Sequence, residues 1–311
     1  MPVVATAKQS RVSLCRVRGQ SIALDITCVR GVERAERMVP VAEQWPQVGS
    51  LPTRTGDIPV FSLAGLLGLP ETDARDGTQL LLADTPGGPV GLLIEQTSQG
   101  SGVAPEAFLR MPEIVRSPHF SAVVRTQSAL LPWLDLVSIF TGQFTRELPA
   151  PASWRHRSAA TAQNRLMVIS LPKSAAEERA WAIGLPAAVV AELVEPEGIV
   201  PVPGTADFVA GVRSWHDRVI GVIDLCAWLG LPAVGGGKSL VAVVAVPGGA
   251  EPIGLLIPRS VRMLKLPIPN LSSERVFPGT AERTVVPVEV GDETIGLIDL
   301  TSLTHGTLAS S

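Results

Sequence analysis

Three aspartates recur in one setting along this chain. Asp135, Asp224 and Asp299 each end an apolar run and precede a leucine. Carboxylates in pairs can do general acid–base work. Each of these, however, stands just before a short helical pattern, where an aspartate accepts hydrogen bonds from the free N–H groups of the first turn. Capping explains them more cheaply than catalysis. The histidines His119, His156, His216 and His305 are scattered without HExxH or HxH spacing, so the sequence offers no metal scaffold. Lys238-Ser239 follows three glycines as in a phosphate-binding loop, but Pro232 stands where the pattern needs glycine. The order is also wrong, because the loop leads into a strand and not a helix N-terminus. No GxSxG elbow and no cysteine nucleophile signature is present. Catalytic residues, cofactor sites and metal ligands are therefore assigned to none of these positions.

Cys15, Cys28 and Cys226 are odd in number and lack CxxC spacing, so no disulfide or zinc framework is expected in what reads as a reducing cytoplasm. Cys15 and Cys28, set among apolar residues, read as small buried thiols. Apolar residues make up 46% of the 311 positions and charged residues 18%, enough material for two packed cores. Net charge is −3, with 13 basic and 14 acidic side chains in residues 1–147 and 11 basic and 15 acidic in residues 165–311. Neither half has the basic excess that nucleic acid or an anionic membrane surface demands. The chain has no tyrosine and only 4% aromatics, poor equipment for stacking sugars or bases. No apolar run approaches the ~18 residues of a membrane span, so direct membrane insertion is not expected.

The elements repeat. Asp57–Pro70 (DIPVFSLAGLLGLP) returns 162 positions later as Val219–Pro232 (VIGVIDLCAWLGLP), with seven of fourteen positions identical. Pro89–Ile94 (PVGLLI) returns as Pro252–Ile257 (PIGLLI), and Leu130–Gly142 echoes Thr294–Gly306. Three collinear echoes mean two copies of one module. Gly and Pro break short apolar runs every 8–15 residues, the rhythm of many short strands. Leu240–Val246 reads as a strand buried on both faces, and Arg283–Val290 with Thr294–Leu300 as a hairpin. Leu63–Gly68 and Leu225–Gly230 read as one to two helical turns closed by glycine, and Pro105–Phe108 as the start of another short helix. Trp45 and Trp215 fall in loop-like segments, whereas Trp133 and Trp228 look like core. Residues 148–164 (LPAPASWRHRSAATAQN) form a Pro/Ala/Ser-rich linker whose Trp154–Arg157 cluster is odd for a pure spacer. Such a cluster is either incidental, or docked on a domain, or a small partner contact.

Glu192–Leu225 (ELVEPEGIVPVPGTADFVAGVRSWHDRVIGVIDL) resembles the CheW-like domain, the scaffold that couples chemoreceptors to the CheA histidine kinase. Pro201-Val202-Pro203, Phe208-Val209, Gly211-Val212, Val222–Leu225, Leu229–Pro232 and the terminal Leu297–Leu300 fit the family pattern. The first copy fits more weakly along its whole length, from Arg18-Gly19-Gln20 through Gly91–Ile94 to Leu134–Leu136. The resemblance implies an all-β protein of two CheW-like modules, each a pair of small five-stranded SH3-like barrels with short helices. Residues 1–11 and 307–311 would be tails, 12–147 and 165–306 the modules. It implies a non-catalytic cytoplasmic adaptor, with the regulatory domain of a CheA-type kinase and the cytoplasmic tip of a chemoreceptor as partners. The partner surfaces would lie near Gly49, Arg54 and Val60 in the first copy and Gly211, His216 and Val222 in the second. The copies depart from the family differently. The family's coupling arginine falls on Arg54 and on His216, Ser62 replaces the aspartate that Asp224 keeps, and Gly221 replaces the proline that Pro59 keeps. An alternative is a degenerate organiser or localisation factor that binds other proteins without the kinase and receptor contacts.

Overall fold

The computed structural model describes residues 10–69, 78–98, 100–115, 117–144, 148, 154, 165–172, 182–232, 237–247, 249, 251–265, 270–271, 285–290 and 293–305. Both proposed tails lie almost wholly outside these residues. Of the linker only Leu148 and Trp154 are described.

The first copy runs β1 (Ser10–Val17), β2 (Gln20–Asp25), β3 (Val29–Arg34), β4 (Val39–Gln44), β5 (Gln47–Thr53), β6 (Gly56–Ser62) and helix α1 (Leu63–Leu66). It continues through β7 (Gln79–Thr85), β8 (Gly88–Ile94), β9 (Gln96–Thr97), β10 (Ser101–Val103), β11 (Phe108–Arg110), β12 (Phe120–Arg125), β13 (Leu130–Leu134) and α2 (Leu136–Thr141). These strands form two sheets, ordered β10-β1-β2-β13-β12-β11, with β9 also on β1, and β3-β7-β8-β6-β5-β4.

The second copy runs β14 (Arg165–Ser170), β15 (Ala182–Pro186), β16 (Val190–Val194), β17 (Val209–Trp215), β18 (Arg218–Asp224) and α3 (Leu225–Trp228). Then come β19 (Ser239–Ala245), β20 (Pro252–Pro258), β21 (Val261–Lys265), β22 (Asn270–Leu271), β23 (Val285–Val290), β24 (Glu293–Ile298) and α4 (Leu300–His305). Its sheets are ordered β21-β14-β15-β24-β23-β22 and β16-β19-β20-β18-β17. The duplication read from sequence is thus a duplication of topology. The order β3-β7-β8-β6-β5 repeats strand for strand as β16-β19-β20-β18-β17, and β4 is the first copy's addition.

The expected pairs of five-stranded SH3-like barrels are not found. The fold is all-β, but among the described residues no sheet closes, and the sheets hold seven, six, five and six strands. Closure requires the two end strands of a sheet to bond each other. Here β3 and β4, the ends of one sheet, are separated by a 3-10 turn at Ala35–Arg37. β3 alternates half-buried and exposed residues with Arg30 and Arg34 turned outward, a charged edge that stays in water. At the opposite ends β16 and β17, bulges at Val190/Glu192 and Val209/Gly211 interrupt the ladders. Strand alternation looks the same in a curled open sheet and in a closed barrel.

The short elements form as their residues dictate. Asp135 accepts from the N–H groups of Val137 (3.0 Å) and Ser138 (3.2 Å), Asp224 from Ala227 (3.0 Å), and Asp299 from Thr301 (2.9 Å). Ser62, where the aspartate is replaced, does the same for Gly65 at 3.1 Å. Gly68 (φ 67°) and Gly230 (φ 75°) take the left-handed conformation that ends α1 and α3. Pro105–Ala107 is a 3-10 turn, β23 and β24 pair as the expected hairpin, and Trp133 and Trp228 are core. Trp215 ends strand β17 and is 8% exposed, so it is no loop residue.

By compactness the chain divides into two units. One holds Met1–Met111, Ser117–Ala150 and Pro201–Thr205, the other Pro112–Arg116, Pro151–Val200 and Ala206–Ser311.

Candidate partner-binding hairpins

The six residues named from sequence occupy matching places on two hairpins. In β5–β6, Gly49 pairs with Val60 and the ladder ends at Thr53↔Gly56. In β17–β18, Gly211 pairs with Val222 and the ladder ends at Trp215↔Arg218. Both hairpins carry a bulge that ends at the glycine, at Gln47/Gly49 and at Val209/Gly211. Arg54 and His216 therefore sit at the hairpin tips, five residues from the glycines and about 16 Å along an extended strand. They do not share one patch with the Gly–Val pairs.

Burial separates the roles further. Val60 and Val222 are fully buried, the first packed with Val48, Leu51, Leu80 and Leu93, the second with Trp215, Ile220, Val241 and Val243. Gly49 is buried because a Cβ there would meet Met38 Cγ at 2.5 Å and the Val39 carbonyl at 2.7 Å. Gly211 adopts φ 134°, a conformation that favours glycine. Only Arg54 and His216 turn their side chains outward.

The two tips differ in chemistry. Arg54 is exposed, and its guanidinium enters none of the ion pairs found among the described residues. His216 takes φ 48°, which is unusual for a non-glycine residue. Its ring lies 4.6 Å from the Trp215 ring, and Nε2 stands 3.3 Å from Glu192 Oε2. The same carboxylate oxygen accepts a hydrogen bond from Trp215 Nε1 at 2.8 Å. Glu192 thus holds the indole by a hydrogen bond and lies beside the imidazole. Close by, burial lowers the pKa of the Arg213 guanidinium, which donates to the Glu195 carbonyl. Arg259 binds the Glu195 carboxylate with both terminal nitrogens. The second hairpin is braced by charge and the first is open.

Gly221 has a local explanation. Within its unit, a Cβ at Gly221 would meet Ile114 Cγ2 at 2.3 Å and Val115 Cγ2 at 2.6 Å, so glycine lets these side chains close on β18. Of the readings open for the Trp154–Arg157 cluster, the structure places Trp154 docked on its domain. Its ring meets Trp215 edge-on, with centroids 5.4 Å apart, and it walls an open cavity of about 380 Å3 beside Ala188, Val189 and Val246. The signal was present in the odd Trp154–Arg157 cluster, but only the fold names its target. Among the described residues no group of His, Cys, Asp or Glu could hold a metal, and no helix is long and apolar enough to cross a membrane.

A family model for the CheW-like domain matches residues 11–144 and again 174–306. The chain belongs to the CheW-like family. It is a tandem member of a family of scaffold and adaptor domains that are not enzymes. No curated protein matches the chain. Among solved structures it is similar to the scaffolding protein TtCheW from Thermoanaerobacter tengcongensis, at 16% identity and a TM-score of 0.39, over 44% of this chain and 97% of that one.

Proposed function

We propose that this tandem CheW-like chain is a non-catalytic adaptor of a chemosensory array. It couples chemoreceptor cytoplasmic tips to the regulatory domain of a CheA-type histidine kinase, in flagellar chemotaxis or pilus-driven motility. Residues 12–147 and 165–306 are its modules, and it works in the cytoplasm at receptor arrays. The observation that carries this reading is the repeated hairpin, with the same bulge, the same buried Gly–Val pair and an outward side chain at the tip. Gly49, Val60, Gly211 and Val222 hold the hairpins in shape, and Arg54 and His216 make contact. Arg54 presents a planar fork of donors that can take a partner carboxylate bidentately, which an imidazole cannot do. The first copy is therefore the stronger contact.

The test is capture of the full chain by a purified CheA-type regulatory domain and, separately, by a chemoreceptor tip. Binding that Arg54→Ala weakens about tenfold or more, as expected for a hot-spot arginine, carries the coupling role. Capture of neither partner by the wild-type chain overturns it. A second reading is an organiser or localisation factor that binds other proteins without these contacts. The drawing of His216 back onto Glu192 favours it for the second copy.

A further inference from the structure

The second hairpin differs from the first as a set. Where the second copy has Trp215 and His216, the first has Thr53 and Arg54. Glu192 sits at the bulge of β16, and the corresponding bulge of β3 places Gly31 there. The indole, the imidazole and the carboxylate that faces both are all missing from the first copy. A fourth member comes from outside either copy. Trp154 packs against the cluster of Trp215, Ile220, Val222, Val241 and Val243, its ring 84° to that of Trp215. Edge-to-face indoles at this separation attract beyond their buried area.

We propose that Trp154 is an intramolecular occupant of the second hairpin. It covers the Trp215 ring at the base of the tip, with His216 itself exposed, and leaves the first hairpin as the face open to a partner. The seat is built for an indole: Trp215 supplies the aromatic wall, and Glu192 fixes the Trp215 ring through its N–H. The His216 ring packs on Trp215 and points its Nε2 at the same carboxylate, so this tip is turned to the chain's own use. The competition part of this inference rests on the coupling role proposed above. The seating of Trp154 does not.

Hydrogen exchange on the full chain decides the seating. In Trp154→Ala, the amides of Ser214–Arg218 should exchange roughly fivefold faster or more, because local opening loses an apolar contact. The first hairpin, Leu51–Asp57, should be unchanged and reports that the fold is intact. Trp154→Phe, which keeps an edge-on ring, should restore most of the protection. Equal exchange at Ser214–Arg218 in wild type and Trp154→Ala overturns the proposal. For competition, the regulatory domain of a CheA-type kinase is titrated against Arg54→Ala and against Arg54→Ala/Trp154→Ala. The double variant should bind about tenfold more tightly, a gain of about 1.4 kcal/mol. Equal affinities overturn the shielding. If the wild-type chain binds no regulatory domain, the coupling role falls, while the exchange result still stands or falls alone.

Discussion

A hairpin that presents a side chain must itself be rigid, and here rigidity and presentation fall on different residues. Gly49 lets β5 pass against Met38, and no space exists for even one added methyl. Gly49→Ala forces the Met38 side chain and the Val39 carbonyl apart, an overpacking that costs about 1–3 kcal/mol. Urea denaturation should show it as a lower midpoint at unchanged slope. Arg54→Ala removes an exposed side chain and should move stability by less than about 0.5 kcal/mol. If Arg54→Ala destabilised the chain as much as Gly49→Ala, Arg54 would be part of the scaffold and its assignment as a contact would fail.

At the scale of elements, each copy relies on the short helices that end its leading strands, and their caps are the cheapest point of attack. Asp135 is 2% exposed and accepts two N–H groups of α2, whereas Ser62 accepts one at α1. Asp135→Ala leaves two donors without their acceptor, that of Ser138 buried, and should cost about 2 kcal/mol, against about 1 for Ser62→Ala. Equal losses in thermal or urea unfolding would show that packing, and not capping, holds α2. These caps were legible because aspartate before an apolar turn has a local cause. The repeat was legible for the same reason, since LxxLLG and LxxWLG carry their own stop signals. Barrel closure was not legible, because the end strands of each sheet are neighbours in sequence and their alternation reads the same whether or not they bond each other. Strand β4 also escaped, and so did the meeting of Trp154 with Trp215, a contact between residues 61 positions apart. Of the site, the frame was readable from Gly49, Val60, Gly211 and Val222. Their burial was not, because a repeated glycine and valine look alike whether they present a surface or support one.

Across the whole molecule the cysteines give each unit its own reporter. Cys15 lies in one unit and Cys226 in the other, both buried, and loss of water pushes each thiol up to about 12. Cys28 is half-buried, and partial burial raises its thiol as well. In native buffer an alkylating reagent should therefore modify Cys28 first. Cys15 and Cys226 should react only when their units open, slower by a factor of ~1,000 for an opening free energy of ~4 kcal/mol. The same shifts set a pH dependence. Above the ordinary thiol value of 9.0 the unfolded chain loses these protons while the folded chain keeps them up to about 12. The folded state then binds more protons, so stability is full below pH 9 and falls above it, by up to about 1.4 kcal/mol per pH unit for each thiol. Urea unfolding at pH 8, 9 and 10 should show the decline. Cys15→Ala/Cys226→Ala should flatten it, after allowance for the smaller side chains. An unchanged slope in that double variant would assign the decline to other groups and remove the thiols as its cause.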